Sequence, residues 1–135
     1  MLLSLHHINL VSDDVARMQA FYRQVLGLEE LPEMVSLRDT RSYDRKVAFI
    51  DARPTQIHLA TRDDALGFRC QQVVNPVTTH GHIAFRTDNI DDVKAQLVRH
   101  NIPYSDYGVW AMRGWHQIFF YDPSGHVIEV HQVKD

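Results

Sequence analysis

The sequence has a single cysteine, Cys70, and it lacks a glycine-rich loop, an excess of basic charge and any long apolar run. Each shortage removes a class of protein. One cysteine cannot close an internal disulfide, which fits a reducing compartment and makes the cytoplasm the expected location. Cys70 lies in a polar stretch with no obvious partner histidine, so a thiol nucleophile is not expected there. Gly27, Gly67 and Gly125 stand in separate turns, and isolated glycines cannot cradle a phosphate. No serine sits in a G-x-S-x-G setting, which argues against a hydrolase of that type. A net charge of -3 leaves no surplus of Lys and Arg for a phosphate backbone, so no nucleic-acid partner is expected. No apolar run approaches the roughly 20 residues of a membrane helix. Met1 to Leu10 lacks the basic region of a secretory signal and already carries two histidines.

What is present is a soluble composition, 44% hydrophobic and 23% charged, in 135 residues. That length suits one domain with a real core. Nine histidines are more than such a domain needs for structure. Their placement follows a repeat. His7-Ile8-Asn9-Leu10-Val11-Ser12-Asp13 lies over His82-Ile83-Ala84-Phe85-Arg86-Thr87-Asp88, offset by a little over half the chain. A helical pattern follows each copy: Val15, Met18, Phe21, Tyr22, Val25 and Leu26 in the first, and Ile90, Val93, Leu97 and Val98 in the second. Ser12 or Asp13 would cap the first helix and Thr87 or Asp88 the second, with stops at Gly27 and Pro103.

Strand-like runs come next. Leu28 to Leu37, Lys46 to Ile50 and Thr55 to Ala60 complete the first half; Ile102 to Val109, Trp115 to Tyr121 and His126 to Val133 complete the second. Each half therefore reads βαβββ. The expected fold is α+β, with two such modules forming a cupped mixed sheet and helices outside. Module one covers about 4–61 and module two about 80–133, in one domain over 1–135. The polar stretch at about 62–79 reads as a linker.

Strand periodicity then selects a face. Ile8 and Leu10 point toward the helix, so His7 and Asn9 point away; Ile83 and Phe85 send His82 the same way. Ile57-His58-Leu59 matches Ile128-Glu129-Val130, which puts His58 and Glu129 on that face too. If the halves pair about an approximate two-fold axis, His7, His58, His82 and Glu129 converge. Imidazoles with a carboxylate suit a divalent ion such as Zn, Ni, Mn, Co or Fe(II).

These residues also carry a resemblance. Leu5-His6-His7-Ile8-Asn9-Leu10, leading to Phe21-Tyr22 and Leu26-Gly27-Leu28, resembles the opening of vicinal oxygen chelate proteins. Gly81-His82-Ile83-Ala84-Phe85 is similar to the start of their second module. Phe119 to Glu129, with Asp122-Pro123-Ser124-Gly125 inside it, is similar to the closing hairpin. The superfamily includes glyoxalase I, methylmalonyl-CoA epimerase, fosfomycin-resistance transferases, extradiol dioxygenases and bleomycin-resistance proteins. The resemblance implies a small-molecule substrate chelated through its oxygens by a metal that stabilises an enolate or oxyanion. It also implies a homodimer, with His7 and His58 from one chain meeting His82 and Glu129 from its partner.

Glyoxalase I commonly has a glutamate where this sequence has His58. A glyoxalase-like lyase or isomerase would thus use Glu129 or His58 as its proton-transfer group. An Fe(II) extradiol dioxygenase is the alternative, since it uses two histidines and a glutamate. A non-catalytic binder of the bleomycin-resistance kind is a third reading. Asn9, Gln56 and His131 are expected to support ligands, with His6 facing away. Arg113, Trp115 and His116 are expected near the cup mouth as substrate contacts. Arg38, Arg41, Tyr43 and Arg45 crowd one turn, where an arginine could meet an anion.

Overall fold

Alternating side chains lay down β1 (Leu3–Ser12), whose inward residues His7 and Asn9 are buried. The computed structural model describes residues 1–134. After β1 come α1 (Val15–Ala20), α2 (Pro32–Val35), β2 (Val47–Ala52), β3 (Thr55–Thr61) and α3 (Leu66–Arg69). The second half contributes β4 (Gly81–Thr87), α4 (Ile90–Arg99), β5 (Tyr104–Val109), β6 (Trp115–Tyr121) and β7 (Val127–Val133). The seven strands form one mixed, open and cupped sheet in the order β2-β3-β1-β4-β7-β6-β5. Among the described residues, no helix is long and apolar enough to cross a membrane.

The sheet is assembled the same way in both halves. The first strand of each lies parallel to the last, β1 with β3 and β4 with β7. The halves then join at the centre, where β1 runs antiparallel to β4 and Asn9 lies opposite His82. Gly81 permits this join. Its φ is +131°, and a Cβ there would stand 1.9 Å from the Asn9 carbonyl oxygen. Only glycine allows backbones to approach so closely.

The helices cover the outer face. Ile90, Val93 and Leu97 of α4 bury against Ile118 and Val130; at about 1.5–3 kcal/mol for each fully buried side chain, this face fixes the helix on β6 and β7. On the other half, Val15 packs with Ala48, Ile50 and Leu59, joined by Leu10, Met18 and Tyr22. Asp14 and Asn89 cap the two helices, each accepting from a backbone N–H three residues on. The caps therefore fall just after the expected positions. In the first half the helix widens into a π-helical turn over Phe21–Val25 before Gly27 ends it with φ +69°.

Two expectations are corrected. Leu28 to Leu37 is not a strand: Glu30 makes one bridge to Ile50, and Pro32 then opens α2. Proline has no N–H for a ladder but suits the first turn of a helix, so the run breaks there. The stretch at 62–79 is not a bare linker either. It holds α3 and buries Leu66, Val74 and Val77 in a cluster with Tyr43, Trp110 and Phe119. It closes one end of the cup.

Candidate metal centre

The cup face gathers the ligand-type residues because each lies at an inward position of its strand. Ile57 and Leu59 pack under α1 while His58 of β3 lines the cup; Ile128 and Val130 pack under α4 while Glu129 of β7 does so. His7, His58, His82 and Glu129 all line one cavity of about 50 Å³. All four come from one chain. The expected division between two subunits is thus corrected: β1 pairs with β4 of its own chain, so no partner is needed to complete the set.

Glu129 is 1% exposed and lies at the middle of a network. Its Oε2 accepts from His131 Nδ1 at 2.6 Å, and its Oε1 lies 3.1 Å from His82 Nε2 and 3.8 Å from His7 Nε2. The proton positions follow from the outer partners. His82 Nδ1 is 2.9 Å from the Pro76 carbonyl, which can only accept, so Nδ1 carries hydrogen. In that tautomer the Nε2 lone pair points at Glu129 Oε1, and two acceptors at this distance require a proton or a metal ion between them. His131 is different: its Nε2 accepts from Arg86 Nε at 3.0 Å, which leaves hydrogen on Nδ1 for Glu129. His131 therefore orients the carboxylate rather than competing for an ion.

The first half supplies the other imidazoles. His7 Nδ1 sits 2.8 Å from His6 Nδ1; with His7 donating, His7 Nε2 presents its lone pair toward Glu129. His58 stacks on His7, with ring centres 3.7 Å apart and planes 13° from parallel, and its Nε2 is 2.8 Å from Gln56 Oε1. Burial pushes the pKa of both His7 and His58 well below the usual histidine value. Burial alone would raise the Glu129 carboxyl, but His7, the hydrogen bond from His131 and the contact with His82 hold it well below the usual range. Neutral His7 and His58 beside an ionised Glu129 suit a divalent ion, which needs its ligands deprotonated. The donor types suit a metal: His7 Nε2 and His82 Nε2 each approach Glu129 Oε1. Among the described residues, the sets whose ligand atoms all lie within 4.8 Å of one another are His6–His7–His58 and His7–Glu129–His131.

His6 corrects another expectation. β1 carries a bulge between Leu5 and His7, so two adjacent histidines turn to the same side. His6 lies edge-on to His7, Trp115 and His131, and burial, then the Arg86 charge, push its pKa down to about 4. Trp115 lines the cavity and stacks on His131 at 4.2 Å. The neighbouring positions behave otherwise. His116 alternates to the outer face, where it meets Asp106 Oδ1 at 2.8 Å and Asp106 also pairs with Lys94 of α4. Arg113 turns outward to the Ser36 carbonyl, tying its loop to the end of α2. Neither is a cup residue.

Sequence reasoning also missed Gln117 and Trp110. Gln117 lines the cavity two residues beyond Trp115, a spacing that could have revealed it. Trp110 had no such signal, because it reaches the cup from a loop. Arg38 does line the cavity, but its Nη2 donates to the Tyr43 and Arg45 carbonyls. Arg41 is exposed beside Asp39, and Arg45 pairs with Asp63.

Comparison with known proteins agrees with this architecture. Residues 4–130 match the family model for the Glyoxalase/Bleomycin resistance protein/Dioxygenase superfamily. The chain is 28% identical over 133 residues to the uncharacterized protein YaeR of Escherichia coli (strain K12), covering 94% of each chain. It is 25% identical over 134 residues to Glyoxylase I 4 of Arabidopsis thaliana, covering 96% of this chain and 70% of that one. Among solved structures, the hypothetical protein BH1468 from Bacillus halodurans C-125 matches in fold with a TM-score of 0.75. It has 19% identity and coverage of 100% and 97%.

Proposed function

This chain belongs to the Glyoxalase/Bleomycin resistance protein/Dioxygenase superfamily, and from that premise we propose that it is a divalent-metal-dependent, glyoxalase-like lyase or isomerase. The observation that carries the reading is the contact between His82 Nε2 and Glu129 Oε1, because His82 has already given its Nδ1 hydrogen to Pro76. His7, His82 and Glu129 would hold the ion, with His58 beside them. A bound divalent ion would act there as a Lewis acid on paired substrate oxygens and stabilise charge developing on them.

The chain's own residues supply the rest. Arg86 fixes the tautomer of His131, and His131 fixes Glu129. His58 is kept unprotonated by burial, and Gln56 engages its Nε2, so Nδ1 is where it would accept a substrate proton. Phe49, Met112 and Trp115 form an apolar cluster along one wall of the cavity. Half-buried, unpaired Cys70 fits a cytoplasmic setting.

The test is metal analysis of the natively purified protein beside the double variant His7→Ala, Glu129→Ala. Zinc, nickel, cobalt or manganese near one per chain, lost in the variant, is expected. Equal metal in both would sink the site. A second reading has its own support, since two imidazoles and one carboxylate also form the ligand set of non-haem Fe(II) oxygenases. Anaerobic reconstitution with Fe(II), followed by oxygen uptake on adding catechol, would favour that dioxygenase reading over the isomerase.

A further inference from the structure

Among the described residues, three buried side-chain polar atoms lack any hydrogen-bond partner: Asn9 Oδ1, Trp110 Nε1 and Gln117 Oε1. All three residues line the cavity that holds the metal-ligand set. They come from separate parts of the chain: β1, the loop after β5, and β6. Their side chains are at least nine-tenths buried, with residue exposures of 8%, 9% and 4%. A buried polar atom without a partner is destabilising, so three around one cavity mark a place where a ligand or water completes the bonds.

Their chemistry narrows the ligand. The indole N–H donates and cannot accept; the two amide oxygens accept and cannot donate. In the orientation found, with both amide oxygens unpaired, an anion would meet the indole well and the two oxygens badly. A hydroxyl both donates and accepts, so it answers either kind of group and replaces a water without losing its bonds. The cavity is also small: about 50 Å³ is room for roughly three to five water-sized positions, the scale of a three-carbon compound.

Resting on the metal-centre reading above, we propose that Asn9, Trp110 and Gln117 form a specificity site for the uncharged, hydroxylated part of a small carbonyl substrate. The carbonyl end lies toward His7, His82 and Glu129. The hydroxylated end lies toward Trp110, on the wall that the 62–79 segment closes through Val77. Trp110 Nε1 donates to a substrate oxygen, and the Asn9 and Gln117 oxygens accept from substrate hydroxyls. The three discriminate between substrates and take no part in proton transfer.

The test uses dihydroxyacetone, hydroxyacetone and pyruvate as probes, with binding followed by calorimetry on metal-loaded and chelator-treated protein. For the metal-loaded wild type, dihydroxyacetone is expected to bind about tenfold more tightly than hydroxyacetone, the loss expected for one buried hydrogen bond, and pyruvate more weakly than either. Trp110→Phe keeps an aromatic ring against Tyr107 and Phe119 and deletes the N–H, while Gln117→Leu deletes the amide. Each should bring the two ketones to equal affinity with metal content unchanged. Discrimination that persists in both variants, or pyruvate binding best, overturns the proposal. If the wild type holds no metal yet still separates the two ketones in a Trp110-dependent way, the specificity site stands and the metal-centre reading falls.

Discussion

In the second half of the cup, His82 and Glu129 are oriented by groups whose hydrogen-bonding role is fixed. The Pro76 carbonyl can only accept, and the Arg86 guanidinium can only donate. In the first half, His7 and His58 lean on His6 and on the Gln56 amide, each of which can present either kind of atom. One half is set before any ligand arrives, whereas the other can adjust by moving a proton or turning an amide. The backbone shows the same contrast. The second half has all four strands and a ten-residue helix, while the first replaces a strand with loop and a short helix. The rigid half would thus dictate the geometry at the ion, and the adaptable half would tune it.

Substitutions can break this comparison at several levels. The largest effect is expected at the join. In Gly81→Ala the new Cβ would meet the Asn9 carbonyl, and a loss of about 3–5 kcal/mol in urea unfolding is expected, in the severe range for one substitution. Gly27→Ala meets no atom within 4 Å and carries only the left-handed backbone penalty, about 1–2 kcal/mol. Similar losses at both sites would mean that the close approach is not what holds the halves together.

Next comes the fixed donor. Arg86→Met frees the His131 tautomer and should weaken metal binding by about 10–100-fold in a chelator competition. Gln56→Leu on the adaptable side should weaken it less than tenfold. The reverse order would overturn the contrast. A smaller effect concerns acid. His6, His7 and His58 have folded-state pKa values below the unfolded value of 6.5, so the unfolded chain takes up protons first. The metal-free protein should therefore keep full stability above about pH 6.5. Stability should fall as pH drops toward about 4, where folded His6 titrates. The urea midpoint measured between pH 7.5 and 4.5 should show this, with a smaller drop in His6→Gln; a flat profile would contradict it. The smallest effect is expected at His116→Gln on the outer face, about 1 kcal/mol or less with metal content unchanged.

Period-two alternation made the facing of His7, His58, His82 and Glu129 legible; helices cover the apolar neighbours of His58 and Glu129, while Ile8 and Ile83 beside His7 and His82 remain exposed on the outer face. The same rule separates Trp115 from His116, which cannot share a face in a regular strand. His6 was hidden because a bulge breaks the alternation without any glycine to announce it. The 62–79 segment was misread because its polar composition masks three well-spaced apolar residues that reach the core. Leu28 to Leu37 has a strand-like composition, but Pro32 withholds the N–H a ladder needs.

The pairing of β1 with β4 within one chain has a consequence for concentration. A site shared between subunits empties on dilution, as mass action separates its halves. Here the halves are tethered by covalent chain, so their encounter does not depend on how many molecules are present. On the metal-centre reading, metal occupancy per chain at a fixed free metal concentration should stay constant from micromolar protein down to nanomolar, whatever larger assembly forms or falls apart over that range.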